Sequence, residues 1–384
     1  MSVTDQLDRL AAFEPAPYPV ISLYLNTQPG PTGRDQFQTF VRKEFAARSR
    51  TYAAHSPERQ CLEQDLERIS TYLDTELQPS ANGVAIFACS AGELFEAVQL
   101  TAPIDQHWLY IGERPHLYPL ARVESLYPRY AVVVANSNTA RIVVVSTGEV
   151  VGDTEITGTR TRRTTQGGWS QARFQRHIEN FHLQHAKEVI DVLDRIVTRE
   201  NIENIVLAGD EVIVPLLRDQ MPKQLSERIV DHIRVDKDGS LDDVVKTSLE
   251  AMQRVREEND REKVEAAVGA YRAGGLGVVG PEETLDALIK GQVEELLVTA
   301  NLSELQGLRG ASSEAAAAND SALEEPMIES VAAGEAADAP PETVRFADEL
   351  VAKATQTSAR ITFIEDPDLL APYGGVAALL RFRI

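Results

Sequence analysis

Apolar and polar positions alternate along Tyr18-Pro19-Val20-Ile21-Ser22-Leu23-Tyr24-Leu25, and the β-branched content predicts a strand there. The turn-rich Gln28-Pro29-Gly30-Pro31-Thr32-Gly33 follows. Helical spacing then runs through Phe37, Phe40, Val41 and Phe45, and again through Leu62, Leu66, Ile69 and Leu73. Short strands are predicted at 83–88 and 94–98, so the first 128 residues read as an α/β domain.

A second block opens with two apolar runs, 130–135 and 140–145, joined by Asn136-Ser137-Asn138, which predicts a hairpin feeding a sheet. A polar stretch up to Ser170 comes next. From Gln171 to about Thr198 the positions Phe174, Ile178, Phe181, His185, Val189, Val192 and Ile196 recur at helical spacing and predict one long helix. Strand 204–208, the turn Gly209-Asp210 and a helix through Val212, Leu216 and Leu217 form a β-α unit, and strand 229–233 with a helix from Leu241 to about Val264 completes the block at 129–262. The remainder, 263–384, reads as helix 264–273, strand 274–280, helix 281–290 with Pro281 at its first position, strand 293–298, helix 342–355, strand 360–364 and a closing strand 377–382. Pattern alone therefore predicts an α/β chain of three domains, 1–128, 129–262 and 263–384, where a length of 384 residues suggests two or three and does not choose between them.

Composition changes this picture in two places. The segment 310–341 carries Glu314, Asp320, Glu324, Glu325, Glu329, Glu335 and Asp338 with no Lys or Arg and no apolar period, and is expected to be an acidic disordered insertion in the third domain. The net charge of −21 and a pI near 4.8 argue against coating nucleic acid by bulk attraction, so any RNA contact must be local. From Ile156 to Ile178 the sign reverses: no acidic residue occurs, while Arg160, Arg162, Arg163, Arg173 and Arg176 are basic. Guanidiniums form bidentate bonds to phosphates, and the start of the helix at Gln171 adds positive dipole potential, so these five arginines are candidate RNA-binding residues. The bland alternative is a solvated loop whose arginines pair with surface acids.

Within this island lies Gln166-Gly167-Gly168-Trp169-Ser170-Gln171. Gly167 and Gly168 free the backbone for close approach to a ligand, and a fixed amide at Gln171 with neighbouring N–H groups can orient a water or a sugar hydroxyl and stabilise developing negative charge. Alternatively the glycines make a turn and Gln171 caps the helix. His182 and His185 share a helix face, yet no His-Glu-x-x-His pattern or cysteine completes a ligand set, so they are read as packing or surface residues and no metal is expected. Cys61 and Cys89 lack metal-ligand spacing and read as small buried residues. No run approaches the length of a membrane helix and the start lacks a signal-peptide pattern, so a cytoplasmic protein without membrane contact is expected.

The order of these features resembles the archaeo-eukaryotic release factor and Pelota family. Gly167 to Arg176, entering a long helix after a two-stranded start, is similar to that family's central RNase H-like domain, whose Gly-Gly-Gln loop reaches the peptidyl-transferase centre; here Trp169 and Ser170 stand between the glycines and Gln171. That spacing looks like the branch that cleaves peptidyl-tRNA on stalled ribosomes. Gly275 to Thr284, Val293 to Val298 and the closing Tyr373-Gly374-Gly375-Val376-Ala377-Ala378-Leu379-Leu380-Arg381-Phe382 resemble the family's third domain, related to kink-turn-binding ribosomal proteins. The first domain matches loosely, and no stop-codon-reading motif is present.

The resemblance implies a ribosome-associated rescue factor in which Gln171 is catalytic, the loop Gly167, Gly168, Trp169 and Ser170 presents it, and the arginines hold the tRNA CCA end, with rRNA and a translational GTPase as further partners. Hydrolysis of the ester or cleavage of the RNA is metal-independent on this reading and needs no cofactor. The competing implication is a non-catalytic A-site factor similar to the hibernation protein Balon. A metal-dependent RNase H-like nuclease is opposed by the lack of carboxylates in 130–135 and 140–145.

Overall fold

The computed structural model describes residues 3–28, 37–100, 102–146, 149–157, 171–210, 212–234, 240–306, 329–332 and 341–383. Two compact units emerge, one made of 1–126 with 259–384 and the other of 127–258. The expected α/β class is borne out, with three mixed or antiparallel sheets among the described residues.

In the first unit, β1 (Val20–Asn26) lies between β4 (Trp108–Gly112) and β2 (Gly83–Cys89), and β3 (Leu94–Leu100) flanks β2, all antiparallel. β1 and β2 are apolar almost throughout because both faces are covered. Ile21, Leu23, Leu25, Val84 and Ile86 pack with α2 (Phe37–Thr51) and α3 (Pro57–Thr75). Tyr24, Ala85 and Phe87 on the other face join α1 (Val3–Ala11) and α4 (Tyr118–Leu126). That second core also takes in α9 (Pro281–Ile289), α10 (Pro341–Gln356) and the sheet β10 (Gly277–Val279), β14 (Val376–Leu380), β11 (Val293–Thr299), β13 (Arg360–Ile364), in that spatial order. The two ends of the chain thus share one core.

A carboxylate ties them polar to polar. Asp348, on α10, accepts from the amides of Leu117 (2.8 Å) and Tyr118 (3.1 Å) at the start of α4, and faces His116 Nδ1 at 2.8 Å. It therefore caps a helix 230 positions away in sequence, where the unpaired N–H groups and the dipole both favour an anion. His116 is fully buried among the rings of Tyr24, Trp108 and Tyr110. Its amide donates to Ser22 Oγ (2.9 Å), its carbonyl accepts from the Tyr24 hydroxyl, and the Tyr118 hydroxyl donates to the Thr299 carbonyl.

In the second unit the order is β7 (Glu149–Thr157), β6 (Thr139–Ser146), β5 (Tyr130–Ala135), β8 (Asn204–Gly209), β9 (Ile229–Ile233). The first three run antiparallel to one another and the last three parallel. α5 (Gln171–Arg199) and α6 (Ile213–Gln220) cover one face, and the first turns of α8 (Leu241–Arg272) cover the other, where the Tyr130 hydroxyl meets Ser248 Oγ at 2.9 Å.

Three expectations need correction. The polar stretch after 145 contains β7, an edge strand whose outward side chains are exposed, so it carries no apolar run to read. The separate helices 241–264 and 264–273 are one 32-residue helix, α8. Inside the span expected to be a disordered insertion, the backbone of β12 (Glu329–Ala332) pairs antiparallel with β4; a sheet edge offers main-chain partners, which require no apolar pattern. The segments 307–328 and 333–340 lie outside the described residues. α1, β4 and α4 are further elements beyond those predicted.

Asp348→Ala leaves three buried donors without their acceptor and is expected to lower the unfolding free energy by about 3–5 kcal/mol. Urea denaturation reads this directly; a loss below about 1 kcal/mol, the range of exposed pairs, would show that the carboxylate does not hold the two ends together.

Candidate functional site

The strands β5, β7 and β8 all point the same way, and their carboxyl ends meet at one edge of the sheet: Ala135 pairs with Gly209, and Thr139 with Thr157. Open α/β sheets present ligands to such an edge. Close approach of β5 and β8 requires glycine here, since a Cβ on Gly209 would stand 2.4 Å from the Ala135 carbonyl oxygen. Asp210 follows directly. Its Oδ1 accepts from the amides of Val212 (3.0 Å) and Ile213 (2.9 Å), closing the start of α6, and its Oδ2 accepts from the amide and hydroxyl of Ser137, both 3.3 Å away. Asn136 Oδ1 in turn accepts from the amides of Asn138 (2.9 Å) and Thr139 (2.8 Å), which fixes the hairpin turn. Asp210 and Ser137 are supporting residues that the sequence reading passed over as parts of turns; an acid two and three residues before a helix's first amides is the signal that marks Asp210.

From this same edge the chain leaves β7 at Thr157, and it re-enters described structure at Gln171, the first residue of α5. Among the α5 side chains that are described, His185, Ala186, Val189, Ile190, Leu193, Ile196 and Val197 are buried. That buried stretch matches the length of the six-residue strand it covers, and α5 ends at the amino end of β8.

Among the sequence-predicted site residues, Gln171, Arg173 and Arg176 lie on the first turns of α5 by their backbone, and their side chains lie outside the described set. Gly167, Gly168, Trp169, Ser170, Arg160, Arg162 and Arg163 lie outside the described residues. The helix therefore starts where the pattern predicted.

In the same sheet, Arg141 on β6 forms a two-pronged bond with Asp153 on β7, Nε to Oδ1 at 2.8 Å and Nη2 to Oδ2 at 2.5 Å. This hydrogen bonding holds the Asp153 carboxyl below the usual carboxylate range. His185 is buried with neither ring nitrogen hydrogen-bonded to a described residue, and His182 is half-buried, as packing residues would be. No three His, Cys, Asp or Glu side chains converge among the described residues. No described helix is long and apolar enough to cross a membrane.

Residues 115–254 match the model of bacterial archaeo-eukaryotic release factor family 10. This bears out the family resemblance read from the sequence. The chain is similar to the uncharacterized protein YocB of Bacillus subtilis, 21% identical over 226 residues, 56% of this chain and 86% of that one. Among solved structures, Dom34 of S. cerevisiae, a translation termination-like factor, is 10% identical over 79% of this chain and 80% of its own, with a TM-score of 0.43. A ribosome-bound archaeal Pelota is 15% identical over 99% and 94%, with a TM-score of 0.42.

Asp210→Ala removes the acceptor for two α6 amides and the tie to the hairpin turn. It is expected to cost about 1–2 kcal/mol in denaturant unfolding and to accelerate hydrogen exchange at the Val212 and Ile213 amides. Unchanged exchange at those two amides would remove Asp210 from its supporting role.

Proposed function

We propose that this chain is a ribosome-associated, release-factor-like protein that cleaves peptidyl-tRNA on stalled ribosomes, with Gln171 organising the reaction. The observation that carries this reading is the family match over 115–254, which spans the loop 166–171 and all of α5. The strand order of the second unit, three antiparallel strands followed by parallel ones, supports assigning 129–262 as an RNase H-like domain between an N-terminal domain at 1–128 and a kink-turn-protein-like domain at 263–384.

The electrostatics suit the assignment. A chain of net charge −21 is repelled by polyanionic RNA along most of its length. The first turns of α5 are free of acid and are preceded in sequence by three arginines, a local reversal of that sign. Arg160, Arg162, Arg163, Arg173 and Arg176 would hold the CCA end, and Gly167 and Gly168 would allow the backbone to approach it, with Trp169 and Ser170 completing the loop. Gln171 would then position water for ester hydrolysis, or a ribose hydroxyl for RNA cleavage, and backbone donors would stabilise the charge that develops. This chemistry draws on no metal or cofactor. rRNA and a translational GTPase are the further partners of this reading, and the cytoplasm is its setting.

A second reading, an A-site factor that blocks the ribosome without chemistry, is favoured by one feature: Gln171 is itself the first residue of α5, the position of a residue that serves the helix end.

Gln171→Ala separates the two. Release of peptide from defined stalled complexes is expected to fall about 10²–10³-fold, the effect of losing one oriented donor, while ribosome association is unchanged. Undiminished release removes the catalytic role and leaves the blocking factor. Arg173→Ala with Arg176→Ala is expected to weaken ribosome binding and to reduce the slope of log affinity against log salt by about 0.7 per arginine. An unchanged slope would refute phosphate contact.

A further inference from the structure

The first unit contains a cavity of about 320 Å³ where α1, the loop after β4 and α10 come together. Its size falls in the range of small-molecule sites. Leu10, Phe13, Pro115 and Leu117 supply an apolar wall. Facing it are three cationic side chains, Arg114, Arg345 and Lys353.

Two features distinguish this lining from an ordinary surface hollow. Neither Arg114 nor Arg345 forms a hydrogen bond or ion pair with another described residue, although Glu113 is adjacent to Arg114 and Glu349 lies one helical turn from Arg345. In a chain with 59 acidic and 38 basic residues, two unpaired guanidiniums at one cavity are the reverse of what composition favours. The second feature is Tyr110. Its ring is buried, and its hydroxyl lines the cavity without a hydrogen bond to a described residue, open to whatever fills the space. Gly112 makes room for it, since a Cβ there would stand 2.7 Å from the hydroxyl oxygen.

Three carboxylates share the lining: Asp348, whose oxygens are occupied by His116 and the amides of Leu117 and Tyr118, and Glu113 and Glu349, which are exposed as Arg114 and Arg345 are. Burial and the nearby Asp348 raise the Tyr110 hydroxyl well above its ordinary value, so it remains a donor at neutral pH.

We propose that this cavity binds a small organic phosphate, with the phosphate held by Arg114, Arg345, Lys353 and the Tyr110 hydroxyl and the apolar body lying against Leu10, Phe13 and Leu117. A phosphate fits better than a carboxylate. Two forked guanidiniums, an ammonium and a phenol offer more donors than two carboxylate oxygens accept, and a phosphate adds a third terminal oxygen and a second charge. The site shares no residue with the loop and α5 of the translation reading, so each stands or fails alone.

Titration calorimetry on the full chain, with AMP, inorganic phosphate, adenosine and hexanoate as probes, tests the assignment. AMP is expected to bind saturably, inorganic phosphate more weakly, and adenosine and hexanoate each at least about tenfold more weakly than AMP. Arg114→Ala with Arg345→Ala should reduce AMP affinity by about tenfold or more, and Tyr110→Phe, which keeps the ring, by about three- to tenfold. Circular dichroism establishes that each variant is folded. The proposal is overturned if AMP shows no saturable binding up to about 10 mM. It is equally overturned if the arginine double variant binds AMP as the parent does, or if hexanoate binds as tightly as AMP, which would assign a carboxylate site instead.

Discussion

Asp348 accepts hydrogen bonds from two amides at the head of α4 and meets the imidazole of His116, and the first unit depends on this junction more than on any other polar contact. The residues it joins come from opposite ends of the chain, with the whole second unit lying between them in sequence. Apolar burial supplies most of the stabilisation there, because Tyr24, Phe87, Leu288, Leu350 and Phe363 share a single core. Burial is non-directional and permits many arrangements of two apolar faces. A buried carboxylate with three directed partners is costly in any arrangement but the one that satisfies it, so it selects a single register between α10 and α4.

That junction also shapes the cavity beside it. Because Asp348 is satisfied by groups behind it, the free donors at the cavity are Tyr110 and the cationic side chains. In the second unit Arg141 and Asp153 pair at the sheet, while the sequence from Ile156 to Ile178 holds five arginines and no acid.

A six-residue strand is covered by about fourteen residues of helix, and α5 has 29. The half that packs is held by Val189, Leu193 and Ile196, which are nearly inaccessible to solvent.

By itself the sequence determined much of this protein. Period-two and period-3.6 patterns located most strands and helices to within a few residues, including the start of α5 at Gln171, because buried faces leave a periodic imprint on local composition. The family resemblance was likewise legible, in the glycine-glutamine loop and in Gly374-Gly375, whose positive φ values are open to few residues other than glycine. Only the tertiary structure decided what depends on distant partners. β7 and β12 are edge strands stabilised through their backbones, so their side chains carry little trace of the pairing. Asp348 reads in sequence as one more acid on an amphipathic helix, and Tyr110 as a core aromatic in a short apolar run. Their roles arise from groups more than two hundred positions away, and a side chain's local pattern records whether it is buried but not which donor it faces.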